Sequence, residues 1–124
     1  NALTGGSAAD RLTGGRGTDT LTGGAGADRF VFASTADSSL ADPDLITDFT
    51  HLVDRIDLSA IDARAGGSNN AFSFIGGAAF SANGQLRYDA VSGLVTGDVT
   101  GDRQADFAIQ LATGLTITAA DFLL

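Results

Sequence analysis

An all-β chain, built of short stacked strands followed by an antiparallel sheet region, is the fold class that this sequence predicts. Three observations predict it. A nine-residue unit runs head to tail at the start of the chain, as Gly5 to Thr13 (GGSAADRLT), Gly14 to Thr22 (GGRGTDTLT) and Gly23 to Val31 (GGAGADRFV). The 124 residues include 17 glycines, and all 15 acids are Asp while all 7 bases are Arg, so two strong surface helix formers, Lys and Glu, are missing. Beyond residue 70, apolar and polar residues alternate in short runs, the period of strands with one buried face.

Each unit divides into a turn and a strand. Paired glycines recur at 5/6, 14/15 and 23/24, acids at Asp10, Asp19 and Asp28, and apolar residues at Leu12, Leu21 and Phe30. Leu3 extends the apolar series backwards, and Asp37 extends the acidic series forwards. Gly-Gly-x-Gly can enter left-handed conformations without steric cost, so it folds into a tight turn whose carbonyls converge on one side, and the Asp adds a carboxylate. The remainder, such as Arg11-Leu12-Thr13, is a strand of about one buried side chain that only stacked neighbours can cover. The unit matches the G-G-x-G-x-D-x-U-x repeat of calcium-binding parallel β-helices. The chemistry suits that ion, which takes roughly six to eight oxygens from carboxylates and carbonyls, more than one turn supplies.

At this point the chain resembles the RTX (repeat-in-toxin) family. The segments DLITDF (44 to 49), DRIDLSAID (54 to 62), FSFIGGAAFS (72 to 81), GQLRYD (84 to 89), GDVTGD (97 to 102) with ADFAIQL (105 to 111), and ITAADFLL (117 to 124) are similar to the C-terminal domain of serralysin-type metalloproteases and related exoproteins. The resemblance implies a short parallel β-roll in which two successive turns make one coil, so that turns 18 residues apart stack and share a calcium ion. Carried onto this chain, one site joins Gly6, Ala8 and Asp10 to Gly23, Ala25 and Asp28. Another joins Gly15, Gly17 and Asp19 to Asp37, with Asp44 as a further acid. An incomplete third is formed by Gly14, Arg16 and Asp19, whose partner turn would end at Asn1. Gly24 and Gly26 complete the candidate ligand set. Two departures from the pattern stand out: Ala8 replaces a glycine, and the fourth turn, Phe32 to Asp37 (FASTAD), keeps only its Asp. A left-handed backbone at Ala8 would cost about 1 kcal/mol relative to Gly.

The expected organisation is one continuous domain, with roll repeats over residues 1–39 and an antiparallel β region over 40–124. Leu40 to Asp44 (LADPD), holding the only proline, reads as the loop that ends the repeats. Asp57 to Ala63 is expected to form a single helical turn with Asp57 or Ser59 as its cap, and Gly66 to Asn70 a loop. Phe72/Phe74, Leu86/Tyr88, Leu94/Thr96, Phe107/Ile109/Leu111 and Leu115/Ile117 then mark five strands that pack one face against the roll.

Other chemistries find little support. Asp98, Thr100, Asp102 and Asp106 imitate a calcium loop, but Arg103 stands where such a loop requires glycine, so a tight hairpin turn over Thr100 to Arg103 is expected instead. His51 is the only histidine, and no G-x-S-x-G is present, so neither an HExxH zinc site nor a nucleophile elbow can be built. The glycine patterns lack the spacing and the following helix of a dinucleotide fingerprint. Net charge is −8, with arginines dispersed among more numerous acids, which disfavours a nucleic-acid surface. No apolar run approaches a membrane span, and the absence of Cys excludes disulfides.

The functional expectation is therefore a non-catalytic, calcium-binding C-terminal domain of a secreted bacterial protein. By resemblance it serves export through a type I (ABC-transporter) system and calcium-triggered folding outside the cell, with Asp121-Phe122-Leu123-Leu124 matching the acidic residue and apolar tail of such exoproteins. Any working domain would lie upstream, since the chain begins inside a repeat. The alternative is a glycan-binding module that holds an extracellular polysaccharide-active enzyme on its substrate, for which Arg11 and Arg29, stacked 18 apart in the roll, are the candidate pair.

Overall fold

The computed structural model describes residues 1–66 and 69–124, so Gly67 and Ser68 of the expected loop lie outside the described residues. Each repeat contributes one very short strand: β1 (Ala2–Thr4), β2 (Arg11–Leu12), β3 (Thr20–Thr22) and β4 (Arg29–Val31). Successive strands go to opposite sheets. β1 pairs with β3 in parallel, Leu3 opposite Leu21, and β2 pairs with β4, Leu12 opposite Phe30. Both registers are offset by 18 residues, so two units make one coil of a parallel roll.

The parallel ladders continue past residue 39. β5 (Asp44–Ile46) adds to β3 with Leu21 opposite Ile46, and β6 (Arg55–Asp57) adds to β4 with Phe30 opposite Ile56. The offsets widen to 25 and 26 residues because residues 32–43 and 47–54 form longer turns than the glycine-rich ones. The short motif Asp-x-apolar survives here as Asp44-Leu45-Ile46 and Asp54-Arg55-Ile56, and that is enough to keep the strand in phase. Leu12, Leu21, Phe30, Ile46 and Ile56 all lie in the core between the sheets.

After the roll come β7 (Ser73–Phe74), β8 (Gln85–Asp89), β9 (Leu94–Asp98) and β10 (Phe107–Gln110). β8, β9 and β10 form the expected antiparallel meander. Its two ends pair in parallel: β10 with β5, and β7 with β8. One sheet therefore runs β1-β3-β5-β10-β9-β8-β7, and the roll coil and the meander share a continuous ladder. Phe72 packs edge-on against Phe107 at 5.8 Å between ring centroids.

Two expected elements differ. Leu115 and Ile117 pack against the core but form no strand, because the Leu115 N–H goes to the Tyr88 hydroxyl, which itself donates to the Ala112 carbonyl at 2.6 Å. The single helical turn expected over 57–63 is confined to a hydrogen-bonded turn at 58–61, closed by Ile61 N–H to the Leu58 carbonyl at 3.0 Å. Asp57, the last residue of β6, supplies the expected cap by accepting from the Ser59 amide and hydroxyl.

The tail closes the second sheet. Ala119–Asp121 form a 3₁₀ turn, and β11 (Phe122–Leu123) pairs in parallel with β6, giving the order β11-β6-β4-β2. Phe122 meets Phe74 at 5.2 Å, so the tail joins both sheets. Asp121 is fully buried, and its carboxylate accepts from Leu52 N–H at 2.8 Å, Thr118 N–H at 2.8 Å and His51 Nδ1 at 2.6 Å. Burial works to raise this carboxyl, but those donors outweigh it and hold it below its ordinary value of 3.8.

A pH dependence follows. A depressed carboxyl stabilises fully above its unfolded value, and the contribution fades as pH falls through the folded one. Asp121→Asn is expected to cost about 3 kcal/mol, since it breaks a buried, hydrogen-bonded charge. In urea unfolding the gap between wild type and variant should hold above about pH 4 and close below it. A gap that widens on acidification would show that His51 and the two amides do not favour the charged form.

Candidate metal centre

The glycine-rich turns stack as the strands dictate. Turn 5–10 lies against turn 23–28: Ala25 N–H donates to the Gly6 carbonyl at 3.0 Å, and Asp10 N–H donates to Asp28 Oδ1 at 2.9 Å. The fit requires glycine in the third turn on two counts. Gly24 and Gly26 have φ of 94° and 114°, and a Cβ would lie 2.2 Å from the Gly6 carbonyl oxygen at the first and 2.6 Å from that of Ala8 at the second. Ala8 itself stays out of the left-handed region, so the feared strain does not arise. The first turn closes instead through Gly6 N–H to Asp10 Oδ2 at 2.6 Å. The Gly23 carbonyl and the Asp10 carboxylate both converge on Gly5, where a Cβ would lie 2.3 Å from the former and 2.6 Å from the latter. The structure thus brings together the turns that carry Gly6, Ala8, Asp10, Gly23, Ala25 and Asp28.

On the other side of the roll, Asp19 and Asp44 are the counterparts. Asp19 N–H donates to Asp44 Oδ1 at 2.9 Å, and Asp44 N–H donates to Ser38 Oγ at 2.8 Å. Asp37 is close enough to repel Asp44, while its Oδ2 accepts from Ala33 and Ser34 N–H and closes its own turn. Gly15 and Gly17 take positive φ in the turn before Asp19, Gly14 packs against the Asp19 carboxylate, and Arg16 is exposed at the turn's tip.

The electrostatics of these rows are those of a site built for a cation. Asp19, Asp28 and Asp44 are almost fully buried, and one carboxylate oxygen of each, Oδ2, has no hydrogen-bond partner. An orphaned anionic oxygen in the interior is costly unless a positive charge meets it. Burial pushes the Asp44 carboxyl up to about 6, against the Asp19 N–H that it accepts and with the repulsion of Asp19 and Asp37 added. Donors here are carboxylates and backbone carbonyls only, the hard oxygen set that calcium prefers and zinc does not.

Sequence reasoning missed Asp48 and Asp54. Asp48 accepts from Gly23 and Gly24 N–H, both at 2.8 Å, and Asp54 accepts from Asp28 N–H at 3.0 Å and Thr50 N–H at 2.8 Å. Asp54 thereby extends the row of Asp10 and Asp28 into the next coil, and burial raises its carboxyl. The Asp-x-apolar signal at 54–56 was available, but its offset of 26 instead of 18 hid it.

Among the described residues, Asp98, Asp102 and Asp106 form a group whose carboxylate oxygens gather within 4.8 Å of one another. Their loop spans residues 99–106, longer than the tight turn expected, and Arg103 adopts the left-handed conformation (φ 64°) of the glycine it replaces. Asp98 accepts from Thr100, Gly101 and Arg103 N–H, and Asp106 from Val99 and Thr100 N–H. These acids order the loop.

Comparison with known proteins agrees with this architecture. AprA, a metalloprotease of Pseudomonas entomophila (strain L48), is 42% identical over 96 residues, covering 72% of this chain and 19% of AprA, so the chain spans about a fifth of that relative's length. The solution structure of the AlgE6R3 subunit from the Azotobacter vinelandii mannuronan C5-epimerase superposes with a TM-score of 0.62 at 25% identity, over 98% of this chain and 66% of that one. Residues 2–124 match the family described as peptidase M10 serralysin C terminal. With its stacked coils, its rows of Asp and carbonyl oxygens, and a match over nearly its whole length, this chain belongs to that family, as a non-catalytic, RTX-type C-terminal domain of a secreted protein.

Proposed function

We propose that this domain carries a longer protein out of the cell through a type I exporter and folds outside when calcium fills its roll. The single observation that supports this most is the set of buried, partnerless carboxylate oxygens on Asp19, Asp28 and Asp44, in rows that form only when neighbouring coils stack. Asp10, Asp28 and Asp54, with the carbonyls of turns 5–10 and 23–28, would hold ions on one side of the roll. Asp19, Asp37 and Asp44, with the carbonyls of turn 14–19, would hold them on the other. Bound calcium supplies the positive charge that cancels their mutual repulsion.

At low calcium the clustered acids repel and the glycine-rich turns carry a large ordering entropy, so the chain stays loose enough to thread a transporter. Extracellular-type sites bind with dissociation constants of roughly 10⁻⁴ to 10⁻³ M. Ligand at about ten times such a constant stabilises by about 1.4 kcal/mol per site, so several sites together decide whether a marginal domain folds. The tail is informative here. Asp121 and Phe122 are buried once β11 joins β6, so a terminal export signal in these residues is readable only before folding. Export first and folding second is the order that this burial supports.

The test is a calcium titration of the metal-free chain followed by far-ultraviolet circular dichroism. A cooperative gain of β signal with calcium is expected, with little or none at equal magnesium, whose near-ideal octahedral demand suits this carbonyl-rich cage poorly. Crystals grown with calcium should show oxygens at roughly 2.3 to 2.6 Å from ions in the two Asp rows. A chain fully folded in chelator, or ions with six rigid ligands near about 2.1 Å, would overturn the reading.

A further inference from the structure

The outer face of the four-stranded sheet carries a feature that calcium binding does not use. Arg11, Arg29 and Arg55 occupy equivalent positions on β2, β4 and β6: Arg11 is opposite Arg29, and Arg29 is opposite Arg55. Their neighbours Leu12, Phe30 and Ile56 point into the core, so strand alternation turns all three arginines outward, and all three are exposed. Parallel strands lie about 4.8 Å apart, so the ladder presents three guanidinium groups over roughly 10 Å, in a straight row across the strands. This row gathers three of the 7 basic residues of a chain whose net charge is −8.

Opposing acids are few on this face. Asp57 is the acid that answers the row, with Arg29 Nη1 4.0 Å from its Oδ2. Burial works to raise the Asp57 carboxyl, but Ser59, and beyond it Arg29 and Arg11, hold it below the ordinary range. The other nearby acids precede each arginine, in the pairs Asp10-Arg11, Asp28-Arg29 and Asp54-Arg55. Those three acids form one of the two carboxylate rows described above, and a cleft of about 170 Å³ lined by Ala27, Asp28, Arg29, Val53 and Arg55 separates the two turns beside the ladder. Metal in that row would offset the adjacent negative charge and leave the arginines as a cationic stripe answered by Asp57.

We propose that the in-register ladder of Arg11, Arg29 and Arg55 is a binding site for a linear acidic polysaccharide, a polyuronate, and that it becomes available when calcium occupies the roll. The proposal rests on the calcium reading for its switch and on the register of three strands for its site. Guanidinium groups pair well with carboxylates, often in bidentate fashion, and a polyuronate offers one carboxylate per sugar along an extended chain, a match to evenly spaced cations. A nucleic acid fits less well, because no aromatic side chain shares the outward positions of β2, β4 and β6 on which bases could stack.

The experiment measures binding of a short oligouronate, too short to gel with calcium, by isothermal titration at low salt, with circular dichroism of every sample. In calcium the wild-type chain should bind, affinity should fall with added salt, and a neutral oligoglucan should show no binding. The triple variant Arg11→Ala, Arg29→Ala, Arg55→Ala should bind at least tenfold more weakly while still folding with calcium, and Arg64→Ala, away from the ladder, should bind as wild type does. Should the triple variant fail to fold, the single variants Arg11→Lys and Arg55→Lys, which keep charge but lose the fork, should each weaken binding severalfold. Unchanged oligouronate affinity in the folded arginine variants would overturn the proposal, as would no binding by a calcium-folded wild type, and either result leaves the calcium reading intact. Equal or tighter binding to single-stranded DNA or to anionic vesicles would also overturn it, by showing a general anion surface. A chain that does not respond to calcium at all would instead overturn the reading on which the switch rests.

Discussion

Removing Asp121 to Leu124 is expected to abolish or strongly reduce export of a slow-folding passenger fused ahead of this chain, in cells that have a type I exporter. It is expected to damage the fold as well. From the sequence alone, calcium binding should survive the deletion, because the candidate ligands then named all lie before residue 45. The structure changes that expectation: β11 covers one edge of β6, Phe122 packs on Phe74, and Asp121 anchors the turn at His51 and Leu52. That turn lies between Asp48 and Asp54, the acids that brace turns 23–28 from the next coil. Losing a buried Phe alone costs about 3 to 5 kcal/mol, comparable to the whole stability of a small domain. Calcium titration of the truncated chain should therefore show a midpoint at least tenfold higher, or no transition. Asp121→Asn, which keeps the apolar tail, separates the two roles. Normal export with weakened folding would assign Asp121 to the fold, whereas undiminished export by the full deletion would remove the signal from this tail altogether.

Replacing Asp19 by Ala is expected to raise the calcium midpoint far more than replacing Asp102 by Ala. Asp19 is 1% exposed, leaves its Oδ2 unpartnered, and its backbone N–H is bound by Asp44. Its loss removes a carboxylate from the row proposed to hold calcium on that side of the roll. Asp102 is exposed and, among the described residues, accepts the N–H of Gln104 alone, so its loss should change stability by less than about 0.5 kcal/mol. Titrations of both variants by circular dichroism decide the matter. Equal shifts would mean that the Asp98, Asp102 and Asp106 carboxylates, which gather within 4.8 Å, hold metal as is proposed for the roll.

What could be read from the sequence is what local chemistry dictates. The nine-residue period places one apolar residue per strand, so Leu12, Leu21 and Phe30 had to stack, and the structure sets them in parallel register 18 residues apart where two units intervene. Paired glycines at fixed spacing announced turns with left-handed residues, and Gly15, Gly17, Gly24 and Gly26 have them. Alternation in 85–89, 94–98 and 107–110 was likewise enough for three antiparallel strands, since a one-residue slip would turn every buried side chain outward.

Tertiary structure alone decided where the roll meets the rest. A strand of three residues with one core side chain carries too little information to name its partner. Nothing local says that Asp44–Ile46 bridges β3 and β10, or that Arg55–Asp57 lies between β4 and β11. Those pairings are fixed by burial summed over the whole core, and the turns of irregular length between the strands hid their period. The same holds for Asp48, Asp54 and Asp121, whose roles depend on backbone N–H groups 25, 26 and 69 residues away at Gly23, Asp28 and Leu52. Repetition encoded the coil and the kind of ion it suits, whereas the closing of the stack at β11, the alignment of three arginines on one face and the orphaning of three carboxylates emerged only when distant segments packed together.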